Sequence, residues 1–193
     1  MPFPGEDVQP FEQDLPGENS AGFNTSHISD LPLEMAQTMN GSWGFNLIDS
    51  SFKSTRQLIQ TLVGAAGRNA NFLMNTGPMP NGQLQPENIQ TYREMGEWMK
   101  VYGKSIYDTR GGPVSPRPWG VTTQKEDTVY VHIMNWKDTL LHIPLERAID
   151  SAKLLRDGES VDIERLDDGY LLRIPVEELD AWDTVVELKL ASD

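Results

Sequence analysis

The sequence predicts an α/β first part followed by an all-β second part. Three observations carry this. Two helix-period stripes flank a short apolar run in residues 1–110, Gly and Pro crowd into residues 111–118, and short alternating segments fill residues 119–193. The expected organisation is therefore an α/β domain over 1–110, a linker over 111–118 and an antiparallel β-sandwich domain over 119–193.

In chain order, residues 1–32 carry Pro2, Pro4, Pro10, Pro16 and Pro32 with Gly5, Gly17 and Gly22, which predicts a long loop. Loops of that length in compact domains usually serve a site. From Ser54 to Ala66 the apolar positions Leu58, Ile59, Leu62, Val63 and Ala66 recur at spacings of three and four, the stripe of a helix with one buried face. The run NFLMN (Asn71 to Asn75), closed by TGPMPNG, has the length of a parallel strand buried on both faces. Pro86 suits a first helical turn, and Tyr92, Met95, Met99, Tyr102 and Ile106 continue the helical period to Arg110.

Beyond Pro118 the period changes to two. Val129, Val131 and Ile133 alternate with Tyr130 and His132; Leu141 with Ile143, Ala152 to Leu155, Val161 with Ile163, Leu171 to Ile174 and Val185 to Leu190 follow. Asp157-Gly158 and Asp168-Gly169 are hairpin signals, since glycine adopts the positive φ of a tight turn.

The chain of 193 residues has 16 Lys plus Arg against 29 Asp plus Glu, a net charge of −13. Such a field repels phosphate backbones and anionic lipid heads, so nucleic-acid partners are not expected. No stretch reaches the roughly 18 apolar residues of a membrane span, and the N-terminal residues read as neither signal peptide nor anchor. With no cysteine, disulfides, thiolate metal sites and thiol nucleophiles are excluded. His27, His132 and His142 share no metal-ligand spacing, and neither a metal nor a cofactor is expected.

Three segments of the first part could carry chemistry: PFEQDLPGENS with Glu12, SWGFN with Trp43, and NFLMNTGPMPNG with Asn75. A loop carboxyl, an exposed aromatic and polar residues just after a buried parallel strand are what a barrel-type active site collects at one rim. Asn75 is expected to tie down backbone there, because buried polar groups must be satisfied.

The order and spacing of SWGFN (Ser42 to Asn46), Lys53, NANFLMNTGP (Asn69 to Pro78) with Gly82, and YGKSIY (Tyr102 to Tyr107) resemble the alpha-L-fucosidases of glycoside hydrolase family 29. That resemblance implies that residues 1–110 are the last units of a (β/α)8-like barrel, followed by the antiparallel β-sandwich domain. It also implies an exo-acting, retaining hydrolase that releases alpha-L-fucose from fucosylated oligosaccharides or glycoconjugates. In such an enzyme an Asp attacks the anomeric carbon while a second carboxyl protonates the leaving oxygen.

The family's Asp lies in a Trp-x-Asp context that residues 1–110 lack; the string Trp136-Lys137-Asp138 and the one Trp-Asp pair, Trp182-Asp183, both fall in the expected sandwich. The chain is thus expected to be a C-terminal portion, inactive alone, whose partner is the missing N-terminal part of the barrel. By the same resemblance Glu12, in a Pro-Phe-Glu loop where many members have Thr-Pro-Glu, is the acid/base. Glu34, matching a Trp-Glu pair with Leu33 in place of Trp, is the rival, and Glu18 the third candidate. Read structurally, Glu34 is a carboxylate in the first turn of a helix. Trp43 is expected to cover the C5 methyl of fucose. A periplasmic, extracellular or lysosomal location is suggested by the family alone. The alternative is a non-catalytic sugar-binding or interaction module that keeps a fucosidase-like C-terminal half; a different retaining glycosidase with a similar barrel end is a third reading.

Overall fold

The computed structural model describes residues 5–18 and 31–191, in two compact units, 1–100 and 101–193.

In the first unit, strands β1 (Gln9–Glu12), β2 (Leu33–Thr38) and β3 (Ala70–Asn75) form a parallel sheet in the order β1-β2-β3. Helix α1 (Thr55–Ala66) connects β2 to β3, and α2 (Pro86–Tyr102) follows β3. The expected loop over 1–32 thus contains a strand. Pro10 is tolerated because β1 lies at a sheet edge, and the Gln9 and Gln13 N–H groups bond Pro32 O and Ala36 O at 2.9 and 2.8 Å. Glu34 sits in β2 and not in a first helical turn. Residues 19–30, with Gly22 and His27, lie outside the described residues.

Helix α1 starts where its stripe starts. Ser54 accepts from the Gln57 N–H while the Gln57 side chain accepts from the Ser54 N–H, a reciprocal cap that satisfies two otherwise orphaned donors. Its Leu58, Ile59 and Val63 are fully buried. Ala65 joins Phe11, Leu33 and Met35 in a core against which Leu15, Leu31, Ala70 and Phe72 pack. Strand β3 is not buried on both faces: it is the other edge of its sheet, and Leu73 is 44% exposed. Thr55 donates its hydroxyl to Glu94 of α2, and Asn88 of α2 donates to Thr76 Oγ1 at 2.6 Å.

Helix α2 ends at Tyr102, not at Arg110, because Gly103 opens a 3-10 turn through Ser105 and Asp108 takes a positive φ of 58°. In the second unit, β4 (Arg110–Gly111), β5 (Gly120–Lys125), β6 (Thr128–Ile133), β8 (Ile149–Leu154) and β11 (Thr184–Leu190) form a sheet in the order β4-β5-β6-β11-β8. Strands β7 (Leu140–Ile143), β9 (Asp162–Leu166) and β10 (Gly169–Arg173) form a second, in the order β7-β10-β9. Every pair in both sheets is antiparallel.

Val129, Val131, Val186 and Leu188 of the first sheet share one apolar core with Leu141, Ile143 and Leu172 of the second, which makes the unit a sandwich. Segment 111–118 is no free linker: Gly111 pairs Thr123, the Gly112 N–H bonds Thr122 O, and Val114 lies in this core.

Asp168-Gly169 closes the β9–β10 hairpin as expected, with Leu166 opposite Gly169. Asp157-Gly158 turns the chain, but β8 and β9 belong to different sheets. After the Lys153–Ser160 bridge and the Val161 N–H bond to Ala152 O at 2.9 Å the chain crosses the sandwich into β9, with Val161 in the same core and Ile163 packed against it.

Candidate active site

The parallel register decides where the candidate carboxylates point. Side chains at matched positions of parallel strands share a face, and faces alternate along each strand. Phe11, Met35 and Phe72 are matched, as are Gln9, Leu33 and Ala70, and the apolar members of these rows form the core that contains Ala65 of α1. The intervening rows, Pro10 with Glu34 and Asn71, Glu12 with Ala36 and Leu73, and Thr38 with Asn75, therefore share the opposite face. Glu12 and Glu34 stand on one face of one sheet, a relation that four residues of Pro-rich sequence do not announce.

They differ in level. Glu12 is the last residue of β1, matched to Ala36, and Gln13 then takes a φ of 61° that turns the chain off the sheet. Glu34 is the second residue of β2. At a rise of about 3.3 Å per residue it lies ~7 Å nearer the N-terminal ends of the strands than Glu12. Glu18 is taken up elsewhere, ion-paired with Arg68 at 3.1 Å. Burial pulls the Arg68 guanidinium below its ordinary range, and Glu18 acts against that.

Trp43, 39% exposed, stands on a loop from Met39 to Lys53 that leaves the C-terminal end of β2. The loop ends meet: the Lys53 N–H bonds Met39 O at 2.8 Å, and the Met39 N–H bonds Asn75 O at 3.0 Å. The Lys53 ammonium donates to Thr38 Oγ1 at 3.1 Å and to Asn40 O at 2.9 Å, and the Thr38 hydroxyl donates to the same Asn40 O at 2.5 Å. Burial lowers the Lys53 pKa, with Asp49 opposing.

Across the loop, the Asp49 carboxylate accepts from Asn40 Nδ2 at 3.1 Å and from the Ser51 N–H at 2.9 Å. Gly41 lies against it, and a Cβ there would stand 3.1 Å from both carboxylate oxygens. The Ser51 bond foremost, with lesser help from the nearby polar groups of Gly41 and Ser42, holds Asp49 below the ordinary carboxylate range against desolvation.

Gly77, in the loop after β3, lies under the Trp43 loop, so the SWGFN and NTGP strings meet in space. Asn75 does not tie down backbone with its side-chain carbonyl; Asn75 Oδ1, like Asn40 Oδ1, is buried without a hydrogen-bond partner among the described residues. Thr38, Asn40, Asp49 and Gly77 escape sequence reading as site residues, since Asp49 meets Asn40 and Gly41 only after the loop closes. No cluster of His, Cys, Asp and Glu among the described residues could hold a metal ion. No described helix is long and apolar enough to cross a membrane.

The sequence profile of the family described as alpha-L-fucosidase matches residues 3–104, more than half of the chain. The chain belongs to the alpha-L-fucosidase family. Among similar proteins, the plasma alpha-L-fucosidase of Pongo abelii is 29% identical over 168 residues, covering 79% of this chain and 36% of that protein. Among solved structures, alpha-L-fucosidase isoenzyme 1 from Paenibacillus thiaminolyticus superposes with a TM-score of 0.84 at 31% identity, covering 96% of this chain and 45% of that one. A GH29 alpha-L-fucosidase from Bacteroides thetaiotaomicron, 24% identical, shares the fold with a TM-score of 0.82 over 96% of this chain and 43% of that one. The chain thus spans less than half the length of these fucosidases.

Proposed function

We propose that the chain is the C-terminal part of an exo-acting, retaining alpha-L-fucosidase acting on fucosylated oligosaccharides or glycoconjugates. In this reading β1 to β3 with α1 and α2 are the last units of a (β/α)8-like barrel. Glu12 is the acid/base, Trp43 covers the C5 methyl of the sugar, and the Asp nucleophile comes from the remainder of the barrel. The observation that carries it is the shared face: Glu12, Glu34, Thr38 and Asn75 all lie opposite the helix-packed side of the sheet. In a barrel that face is the interior, and chemistry gathers at its C-terminal end.

The level difference favours Glu12 over Glu34. A carboxyl at the end of its strand reaches a glycosidic oxygen at the rim, whereas Glu34, two levels lower in the register, stands roughly 7 Å below Glu12. In the retaining reaction the nucleophilic Asp forms the bond to C1 as the C1–oxygen bond breaks, and Glu12 gives its proton to the departing oxygen. The resulting carboxylate then takes a proton from the water that attacks C1 and releases the Asp. The two carboxyl groups should stand about 5–5.5 Å apart. Burying the C5 methyl under Trp43 contributes about 0.8 kcal/mol.

The test is made in the full-length fucosidase. Glu12→Ala should slow substrates with poor leaving groups far more than activated aryl fucosides, and azide should restore turnover, giving a fucosyl azide of retained configuration, since the anion needs no general base. If azide rescues Glu34→Ala and leaves Glu12→Ala unchanged, the acid/base role belongs to Glu34.

A further inference from the structure

The stem of the Trp43 loop is organised around one side chain that takes no part in the proposed reaction. Asn40 Nδ2, three residues before Trp43, donates to the Asp49 carboxylate at 3.1 Å. The Ser51 N–H donates to it from the returning limb of the loop at 2.9 Å. Packing is tight at this point: a Cβ on Gly41 would stand 3.1 Å from both Asp49 oxygens. An ionised carboxylate is acceptor-only and offers about four lone-pair sites, which suits a cluster made of donors alone. An amide in its place has one acceptor oxygen and turns an NH2 group toward N–H donors.

Lys53 fixes the other side of the same turn through Thr38 Oγ1 and Asn40 O. Between them Asn40 is gripped by its side-chain nitrogen and by its carbonyl. Trp43 lies three residues beyond Asn40 on this limb, so the freedom of the stem passes toward the indole ring.

We infer that Asp49 is the positioning residue for Trp43, presetting the ring for a deoxy-sugar face by tying Asn40 to the returning limb of the loop at Ser51. This rests on the fucosidase reading given above. It predicts that Asp49 acts on ligand affinity through Trp43 and through no other contact, which distinguishes positioning from general support of the fold.

The experiment uses full-length fucosidase with L-fucose as the probe, and measures its competitive inhibition constant for the parent, Asp49→Asn, Trp43→Ala and the double variant. Asp49→Asn should weaken fucose about tenfold in the parent and by less than about twofold in the Trp43→Ala background, a coupling of contacting residues. Asn40→Ala, which removes the side-chain donor to Asp49, should weaken it about threefold in the parent and leave the Trp43→Ala protein unchanged. An equal effect of Asp49→Asn in both backgrounds overturns the inference, as does unchanged affinity in both Asp49→Asn and Asn40→Ala. Unchanged affinity in Trp43→Ala overturns it too, by removing the contact through which Asp49 would act. A parent enzyme that neither binds fucose nor cleaves a fucoside overturns the fucosidase reading itself.

Discussion

Gly77 and Phe45 meet backbone to backbone. A Cβ on Gly77 would lie 2.3 Å from Phe45 N and 2.4 Å from Gly44 C, so no side chain fits between the loop after β3 and the loop that carries Trp43. The obstacle is main chain, which cannot rotate away as a flexible side chain could. Gly77→Ala is therefore expected to push the two loops apart at a cost of about 1–3 kcal/mol, the range of overpacking substitutions. A lowered denaturant midpoint with a raised KM for an aryl fucoside in the full-length enzyme is the expected result; an unchanged midpoint and KM would show that the loops are free to separate.

What could be read from sequence follows the range over which each signal acts. The α1 stripe and the alternation of β6, β7, β10 and β11 are local, repeat many times, and emerge where expected. Strands β1 and β2 leave little such trace: QPFE contains a proline, and LEMAQT alternates weakly because its second face carries Glu34, Ala36 and Thr38. Strand β5 escapes for a similar reason, since its buried Thr122 and Thr123 read as polar although both are fully buried. At the site, Glu12 and Trp43 stand out by type and by resemblance. That Glu12 and Glu34 share a face depends on register between separate strands, and the Asp49 hub depends on closure of a loop; neither has a local signature.

The second prediction concerns His132 and Asp183, both fully buried and joined at 2.7 Å between His132 Nδ1 and Asp183 Oδ2. The other ring nitrogen lies 3.3 Å from Thr123 Oγ1, whose hydroxyl is given to Ser105 O at 2.6 Å, so the histidine ties β6 to β5 and to the start of β11. Asp183→Ala leaves a buried imidazole without its partner and is expected to cost about 3–5 kcal/mol. Replacing both residues by apolar ones should cost less than the sum of the two single changes. Urea denaturation followed by far-UV circular dichroism measures both; strict additivity would mean that the pair is not coupled.

The third prediction concerns acid. Asp49 is held below its ordinary 3.8 by the Ser51 N–H and its other donors, and Glu94 below 4.5 by the Thr55 hydroxyl and Gln90. A carboxyl whose folded-state pKa is depressed contributes stability that is present above the unfolded value and is lost as pH falls through the folded one. Both contributions should therefore be intact at pH 6 and should fade below their ordinary values. Asp49→Asn and Glu94→Gln are each expected to flatten the fall in unfolding free energy below about pH 4, measured by urea denaturation at a series of pH values. A parallel fall in parent and variants would mean that neither carboxyl contributes to the acid limb.

The last prediction concerns the 193-residue chain by itself. Strands β1 and β3 are both edges of a parallel sheet, and the face carrying Pro10, Glu12, Asn71 and the exposed Leu73 is not covered by α1. Parallel sheets are normally covered on both faces, and open edges pair with whatever strand is available. Under the proposed reading the rest of the barrel supplies both the covering and the nucleophile. Expressed alone, the chain should therefore self-associate in light scattering, and the sandwich unit should unfold in a transition of its own, separate from that of residues 1–100. It should release no aryl aglycone from an alpha-L-fucoside, because without the Asp no covalent intermediate forms, however well Glu12 is placed. Supplying the N-terminal barrel segment, fused or coexpressed, should restore a single transition and turnover together. A sharply two-state monomer with full activity on its own would place the nucleophile inside these 193 residues and remove the proposed division of labour between this chain and the rest of the barrel.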